Sequence, residues 1–265
     1  MSTISQTFDR LRSEREKALI PFITAGDPDL HTTEKLIYVL EKNGADLIEL
    51  GVPFSDPMAD GPTIQLASER SLVNKTTLKI ILDLVKKVRL KTNIPIILMG
   101  YYNPFFIYGL KRLANDAKEA GVDGILTVDL PPEEASEMKR QMANAGLDMI
   151  FLLTPTSDDS RIKLITKNAT GFIYYVSLTG VTGIRSKLDK DIRTQLNIIK
   201  KNTHLPIVVG FGISSPNHAK SVSQWADAVV MGSAIIKIIE NSKNKKLMLQ
   251  KVGKFVSSLK RAMNK

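Results

Sequence analysis

Length, composition and charge already exclude several classes of protein. The chain has 265 residues, 43% of them hydrophobic and 24% charged, a mixture typical of globular proteins. It has no cysteine, which excludes disulfides, thiolate metal sites and a cysteine nucleophile. Its three histidines lie far apart in the sequence, so we predict no metal site. No apolar run reaches the ~18 residues of a membrane span, and the polar N-terminus is unlike a secretory signal, so we expect a cytoplasmic protein.

The net charge of +10 is concentrated near the C-terminus. Residues 237–265 hold eight lysines and Arg261 against a single acidic residue, Glu240. No recognition motif or aromatic platform for bases accompanies this charge, so we predict no nucleic-acid binding. The segment is interpreted instead as a last amphipathic helix with a solvated charged face. Its predicted buried stripe comprises Leu247, Leu249, Val252, Phe255, Val256 and Leu259.

Eight short apolar segments recur along the chain, and turn residues follow each of them. Several are continuously apolar rather than alternating, as expected of strands that are buried on both faces. In chain order, the predicted strands are residues 19–24, 46–51, 95–101, 124–128, 148–153, 171–177, 206–209 and 228–231. Helical patterns lie between them, at residues 33–43, 78–90, 107–120, 132–145, 160–167, 189–201 and 215–225.

The alternation of strands and helices, without hairpin signals, predicts parallel strands that are joined by right-handed crossovers. Eight such units favour a (β/α)8 TIM barrel, an α/β fold, over an open doubly wound sheet, which is the alternative architecture. No linker, low-complexity tract or break in composition divides the chain. We therefore predict a single barrel domain over residues 1–265.

Glu49 is the first candidate for chemistry, because it stands next to the end of the second predicted strand. In a (β/α)8 barrel the active site forms at the C-terminal ends of the strands. A carboxylate among leucine and isoleucine neighbours is costly to bury, and burial would raise its pKa toward that of a working acid or base. A structural glutamate that bonds to the backbone or to an arginine is the alternative interpretation.

The loop after this strand, at residues 51–62, carries a second carboxylate. It holds three prolines and two glycines, so its conformation is restrained. Restrained loops at the C-terminal end of a strand hold catalytic groups in register. Asp60 belongs to the same strand–loop unit as Glu49, so both carboxylates can reach one cavity. Taken alone, Asp60 is equally typical of a turn residue.

Glycine-bearing turns follow the last three predicted strands, at residues 179–183, 210–212 and 232–233. Phosphate sites in these barrels are frequently built from the loops after strands 7 and 8 and a short helix N-terminus. Backbone N–H groups would bind the dianion there, and Ser233 can donate a hydroxyl hydrogen bond. Ordinary turns are the alternative interpretation. Together with the two carboxylates, the turns predict an enzyme that acts on a small phosphate ester by acid/base chemistry.

Longer motifs carry a family resemblance that covers essentially the whole chain. The most specific is ELGVPFSDPMADGP at 49–62. Others follow in the family's order: PFITAGDP at 21–28, YYNP at 101–104, DLP at 129–131, GVTG at 180–183 and GFGI at 210–213. On these motifs the chain resembles the tryptophan synthase alpha subunits. One departure is Leu178-Thr179, where many members carry Arg-Ala.

The resemblance implies a lyase of tryptophan biosynthesis that splits indole-3-glycerol phosphate into indole and glyceraldehyde 3-phosphate by retro-aldol chemistry. Glu49 would be the general acid/base, and Asp60 would accept the indole N–H and stabilise positive charge on the ring. The implied indole pocket comprises Phe22, Met99, Leu126, Tyr174, Tyr175 and Phe211. The implied phosphate ligands are Gly183, Gly212, Gly232 and Ser233.

The resemblance also implies a partner, the beta subunit, in an alpha2-beta2 heterotetramer with Asp56 and Pro57 at the interface. No cofactor is implied in this subunit, since the pyridoxal phosphate of the family belongs to the beta partner. A stand-alone lyase that releases free indole remains an alternative. A purely regulatory subunit would need neither Glu49 nor Asp60. Two related barrel enzymes fit less well: phosphoribosylanthranilate isomerase uses a cysteine, and indole-3-glycerol phosphate synthase needs lysines at its strand ends.

Overall fold

The computed structural model describes residues 1–176, 185–210 and 212–264, with 185–191 given by their backbone alone. Eight parallel strands pair in chain order, and β1 also pairs with β8, so the sheet closes on itself. The predicted (β/α)8 barrel is therefore confirmed, and the open sheet is excluded. The strands are β1 (Ala18–Thr24), β2 (Ile48–Gly51), β3 (Ile96–Gly100), β4 (Gly124–Thr127), β5 (Asp148–Leu153), β6 (Ile173–Val176), β7 (Ile207–Gly210) and β8 (Ala228–Met231).

Helices surround the barrel, and several begin at a side chain that caps their first amides. The helices are α1 (Thr3–Ser13), α2 (Leu30–Lys42), α3 (Pro62–Val73), α4 (Leu78–Val88), α5 (Tyr102–Tyr108), α6 (Leu110–Ala120), α7 (Ser136–Ala145), α8 (Asp159–Asn168), α9 (Arg185–Lys200), α10 (Pro216–Ser223), α11 (Ser233–Glu240) and α12 (Lys245–Met263). Asp29, for example, accepts the Thr32 N–H at 2.8 Å at the start of α2. No helix within the described ranges is long and apolar enough to cross a bilayer.

Four of these helices, α1, α3, α5 and α11, are absent from the sequence-based prediction. In α3 the buried positions are the small residues Ala67, Ser68 and Ser71, so the helix lacks the large apolar stripe on which periodicity depends. The helix predicted at 107–120 is α6, which begins later, at Leu110, because residues 107 and 108 end α5. Gly109, at φ +92°, separates α5 from α6 in a conformation that other residues rarely adopt.

The last helix, α12, packs on α2 and α10 with its basic face toward solvent. Its predicted buried stripe is wrong at Leu247, and two further members, Leu249 and Phe255, are only half-buried. Leu247 is exposed, and Met248 takes the buried place beside Val252, Val256 and Leu259. The helix begins at Lys245 rather than at 237.

The amino ends of the strands are held together by buried or partly buried aspartates. Asp46 accepts the Leu19 N–H at 2.8 Å, and Asp227 accepts the Ile207 N–H at 2.9 Å. Lys260 of α12 donates to the same Asp46 oxygen at 2.9 Å. These carboxylates join strand to strand and satisfy backbone donors at the end of the barrel that carries stability rather than catalysis.

At the opposite end, one arginine joins three elements that frame the cavity described below. Arg70 of α3 forms a two-pronged ion pair with the wholly buried Asp27, at 2.7 and 2.9 Å. The same guanidinium also donates to Glu240, the last residue of α11, at 3.1 Å. A buried carboxylate without its partner is strongly destabilising, so this pairing fixes α3 and α11 relative to the loop after β1.

Candidate active site

A cavity of about 460 Å³ opens at the carboxyl ends of the strands. It is bordered by residues of β1, β2, β3, β6 and β8, by the loop of Asp60, by the turns after β7 and β8, and by α3, α11 and α12. Its described lining is Phe22, Glu49, Asp60, Gly61, Ile64, Met99, Tyr174, Gly212, Ile213, Ser214, Val230, Gly232, Ser233, Ala234, Lys237, Ile238 and Phe255. Both predicted catalytic carboxylates therefore border one cavity, together with three of the four predicted phosphate ligands.

Glu49 lies at the inner end of this cavity, on β2 between Phe22 of β1 and Ile97 of β3. Its side chain is completely buried, and neither carboxylate oxygen has a hydrogen-bond partner among the described residues. Burial raises the pKa of Glu49 from its ordinary 4.5 to about 8. The carboxyl group is therefore protonated at neutral pH. The alternative interpretation is a structural glutamate that bonds to the backbone or to an arginine. In the described part of the chain, Glu49 has no such partner.

Asp60 reaches the cavity from the loop between β2 and α3, and Tyr101 holds it there. The Tyr101 hydroxyl donates to Asp60 Oδ2 at 3.2 Å and accepts the Ala59 N–H at 2.9 Å. Phe54 of the loop packs on the Tyr101 ring, with centroids 5.2 Å apart. Burial raises the pKa of Asp60 to about 6, while the bond from Tyr101 acts in the opposite direction. Asp60 is thus mainly ionised at neutral pH, unlike Glu49.

The apolar wall of the cavity is formed by Phe22, Met99 and Tyr174. Two glycines make room for these rings. A Cβ on Gly51 would lie 2.5 Å from Phe22 Cζ, and one on Gly210 would lie 2.0 Å from the Tyr174 hydroxyl oxygen. Two other predicted pocket residues, Leu126 and Tyr175, are buried in β4 and β6 and do not border the cavity. Phe211 lies outside the described residues.

The outer part of the cavity is bordered by the predicted phosphate ligands. Gly232 caps α11, and Ser233 is its first residue, so the free amides of this helix end face the cavity. Gly212 adopts φ +74° in the turn after β7, a conformation that strongly favours glycine. Gly183 and the flanking Leu178-Thr179 lie outside the described residues. No cluster of three potential metal ligands is present within the described ranges.

The residues predicted to contact a partner lie on the outer side of the Asp60 loop. Asp56 is exposed and Pro57 is half-exposed. The Ser55 hydroxyl donates to Asp56 Oδ2 at 2.5 Å, which orients the carboxylate without burying it. Asp56 therefore presents its charge to solvent, while Asp60, four residues later, faces the cavity.

Several residues of the site were missed by sequence reasoning. Tyr101 holds Asp60 without bordering the cavity itself. It stands directly after β3, and its position at a strand end is a signal that could have identified it. Lys237 borders the cavity from α11, four residues after Ser233, and the unpredicted helix concealed this spacing. Phe255 reaches the cavity from α12, although the predicted stripe assigned it to the core. Ile64 belongs to α3, another unpredicted helix.

The chain is similar to known proteins along nearly its whole length. A family model described as "Tryptophan synthase alpha chain" matches residues 8–264. The tryptophan synthase alpha chain of Geotalea uraniireducens is 59% identical over 260 residues, covering 98% of this chain and 97% of the relative. That of Geobacter sulfurreducens is 56% identical over 263 residues, covering 99% of each chain.

Solved structures agree with these sequence matches. The crystal structure of tryptophan synthase subunit alpha from Legionella pneumophila superposes with a TM-score of 0.92 at 42% identity, covering 99% of this chain and 98% of that one. A structure of Mycobacterium tuberculosis tryptophan synthase superposes with a TM-score of 0.91 at 31% identity, covering 100% and 99%. Fold, motifs and full-length similarity agree, and the chain belongs to the tryptophan synthase alpha chain family.

Proposed function

We propose that this chain is the alpha subunit of a tryptophan synthase and that it cleaves indole-3-glycerol phosphate to indole and glyceraldehyde 3-phosphate. The observation that carries the proposal is the pair of carboxyl groups on one cavity. Glu49 is buried, protonated and without a partner in the described residues, whereas Asp60 is ionised and held by Tyr101. Two carboxyl groups whose environments separate their pKa values suit different roles in one reaction.

The proposed reaction begins with the protonated Glu49 as general acid. Its proton passes to C3 of the indole ring, and positive charge develops at the ring nitrogen. Asp60 accepts the N–H hydrogen bond and stabilises this charge, an interaction that is stronger in the transition state than in the ground state. The Glu49 carboxylate then takes the proton of the adjacent side-chain hydroxyl. A carbonyl forms, the bond to C3 breaks, and its electrons return to the ring, which releases indole and regenerates protonated Glu49.

A coupled assay for glyceraldehyde 3-phosphate tests this function directly. The purified chain is supplied with indole-3-glycerol phosphate, with and without a cognate beta subunit. We expect product release by the isolated chain and faster release in the complex. Absence of cleavage in both samples would overturn the proposal, since the residues assigned to the chemistry belong to this chain. The full-length similarity to alpha chains favours this function over a stand-alone indole-releasing lyase.

The outer end of the cavity is proposed to hold the phosphate by backbone amides, with Ser233 adding a hydroxyl donor. Gly212→Val should weaken binding of glycerol 3-phosphate by about tenfold or more, because a β-branched residue cannot adopt φ +74° without strain and its side chain crowds the anion. Inhibition of cleavage by glycerol 3-phosphate measures the effect. Indole binding serves as the internal control, and a variant that is inhibited like the wild type would argue against this site.

The beta subunit is proposed as the partner, in an alpha2-beta2 heterotetramer, with pyridoxal phosphate confined to the beta chain and no cofactor in this one. The loop that carries Asp60 also presents Asp56 and Pro57 on its exposed side. A partner docked there would hold the loop in place and thereby preorganise a catalytic carboxylate. Assembly and rate are then linked through one short segment.

Addition of the beta subunit should accordingly raise the cleavage rate at least about tenfold, and Asp56→Ala should remove most of that increase. The isolated variant should retain nearly the wild-type rate, because Asp56 is exposed and borders no part of the cavity. Rates are measured at saturating beta subunit, with complex formation verified by gel filtration. Equal rates with and without bound beta would contradict the coupling. Exposed Asp83→Ala is a charge-matched control away from this loop.

A further inference from the structure

A lysine borders the outer end of the cavity, in addition to the backbone amides that are proposed to bind the phosphate. Lys237 is the one basic side chain among the described residues that border the cavity. Asp60, which is ionised at neutral pH, borders the same cavity and would repel a phosphate dianion. A cation at the outer end offsets this repulsion where the anion enters.

The position of Lys237 on α11 directs it toward the helix start. Residues four apart lie on the same face of a helix, and side chains tilt toward the N-terminus. Lys237 therefore extends back over the turn that begins at Ser233, where the helix dipole already favours an anion. Both residues border the cavity. The buried Glu49, without a partner in the described residues, independently marks this cavity as a ligand site.

Neighbouring charges do not neutralise Lys237. Glu240, on the next turn of α11, is already paired with Arg70 at 3.1 Å. Within the described part of the chain, Lys237 Nζ has no ion pair, and its side chain is exposed. An exposed lysine pays a small desolvation cost when it approaches a phosphate, so its ammonium is available to an incoming anion.

We propose that Lys237 is a substrate-binding residue that contacts the phosphate and makes this site select the phosphorylated substrate over unphosphorylated indole-3-glycerol. The inference rests on the proposed function, since it assigns the phosphate of that substrate to this end of the cavity. Its contribution is that of a full charge exposed to solvent, and it is therefore sensitive to salt. It adds a side-chain determinant of specificity to a site otherwise built from glycines and Ser233.

Calorimetric titration of the full chain with glycerol 3-phosphate tests the proposal. Lys237→Met keeps the length of the side chain and removes its charge, and it should weaken binding about fivefold or more at low ionic strength. The difference should shrink at about 0.5 M salt, because screening weakens the lysine–phosphate attraction that Lys237→Met lacks. Lys237→Arg should retain most of the affinity. Indole, which lacks a phosphate, should bind the wild type and Lys237→Met equally well.

Lys246→Met is the matched control, since Lys246 is exposed on α12 and does not border the cavity. Wild-type affinity for glycerol 3-phosphate in Lys237→Met, or an equal loss in Lys246→Met, would overturn the role of Lys237. Either result leaves cleavage of indole-3-glycerol phosphate by the wild type untouched. If the wild type fails to cleave that substrate, the proposed function fails. The titration still decides whether Lys237 binds the phosphate group, because it requires no turnover.

Discussion

Glu49→Gln should lower kcat for the release of glyceraldehyde 3-phosphate by a factor of about 10² or more, with little change in substrate affinity. The amide has the same shape as the protonated carboxyl group but cannot transfer its proton to C3 or accept the hydroxyl proton. In the wild type, kcat/KM should decline as pH rises above about 8, because Glu49 then loses the proton that starts the reaction. Steady-state kinetics across pH measures both effects. Near-wild-type turnover in the variant would remove Glu49 from the mechanism.

Urea denaturation of Glu49→Gln is the control that this variant is folded. The raised pKa of Glu49 means that the unfolded chain releases this proton above pH 4.5, whereas the folded chain keeps it until about pH 8. The contribution of Glu49 to stability is therefore fully present below pH 4.5 and is lost as pH rises toward 8. Glu49→Gln has no such loss. We expect it to be more stable than the wild type at pH 8 in urea denaturation, and similar at pH 4.5.

Asp60→Asn should also reduce kcat by about 10², for a different reason. An amide oxygen still accepts the indole N–H and the Tyr101 hydroxyl bond, so the loop keeps its position. It carries no negative charge to stabilise the ring as C3 is protonated. The pH–rate profile distinguishes the two roles. The limb near pH 6, which belongs to Asp60, should disappear in Asp60→Asn, while the limb near pH 8 remains.

The affinity of Asp60→Asn for indole separates a role in binding from a role in catalysis. Because the N–H bond persists, indole should bind with nearly wild-type affinity, and the loss should appear in kcat. A variant that loses indole affinity and keeps kcat would show that Asp60 acts in ground-state binding alone. Tyr101→Phe is a companion variant, since it leaves the Asp60 charge in place and removes the hydroxyl that donates to Asp60 and accepts the Ala59 N–H.

The strands could be predicted from sequence because a barrel strand is buried on both faces and is continuously apolar. Seven consecutive buried residues in β1 are the plainest example. The bounds of all eight strands are within two residues of those predicted. Glu49 could be identified for the same reason, since a carboxylate in such a run conflicts with its surroundings. Its isolation from hydrogen-bond partners in the described residues is a property of three-dimensional packing alone.

The features that could not be predicted depend on contacts between distant segments. Helix α3 packs on α11 and β1 through small side chains, so its sequence has no apolar stripe. Tyr101 acts on Asp60 across 41 positions of sequence, and no local pattern signals such a bond. The sequence indicated that Lys237 belongs to a solvated basic segment. The unpredicted helix α11 brings Lys237 onto the same face as Ser233, one turn earlier. A lysine on a solvated face and a lysine that is proposed to bind a ligand cannot be distinguished in a sequence.

The aspartates at the amino ends of the strands have a consequence for how this enzyme can change. Asp46 and Asp227 are satisfied by backbone donors and join neighbouring strands, whereas Glu49, at the other rim, has no partner in the described chain. Under the proposed function, carboxyl groups with the same chemistry thus stabilise the barrel at one rim and react with substrate at the other. Damaging mutations should fall into two populations in a genetic selection: those that deplete the protein from the cell and those that leave an abundant but inactive one. A lineage can therefore acquire a new substrate at one rim while the other keeps the barrel closed.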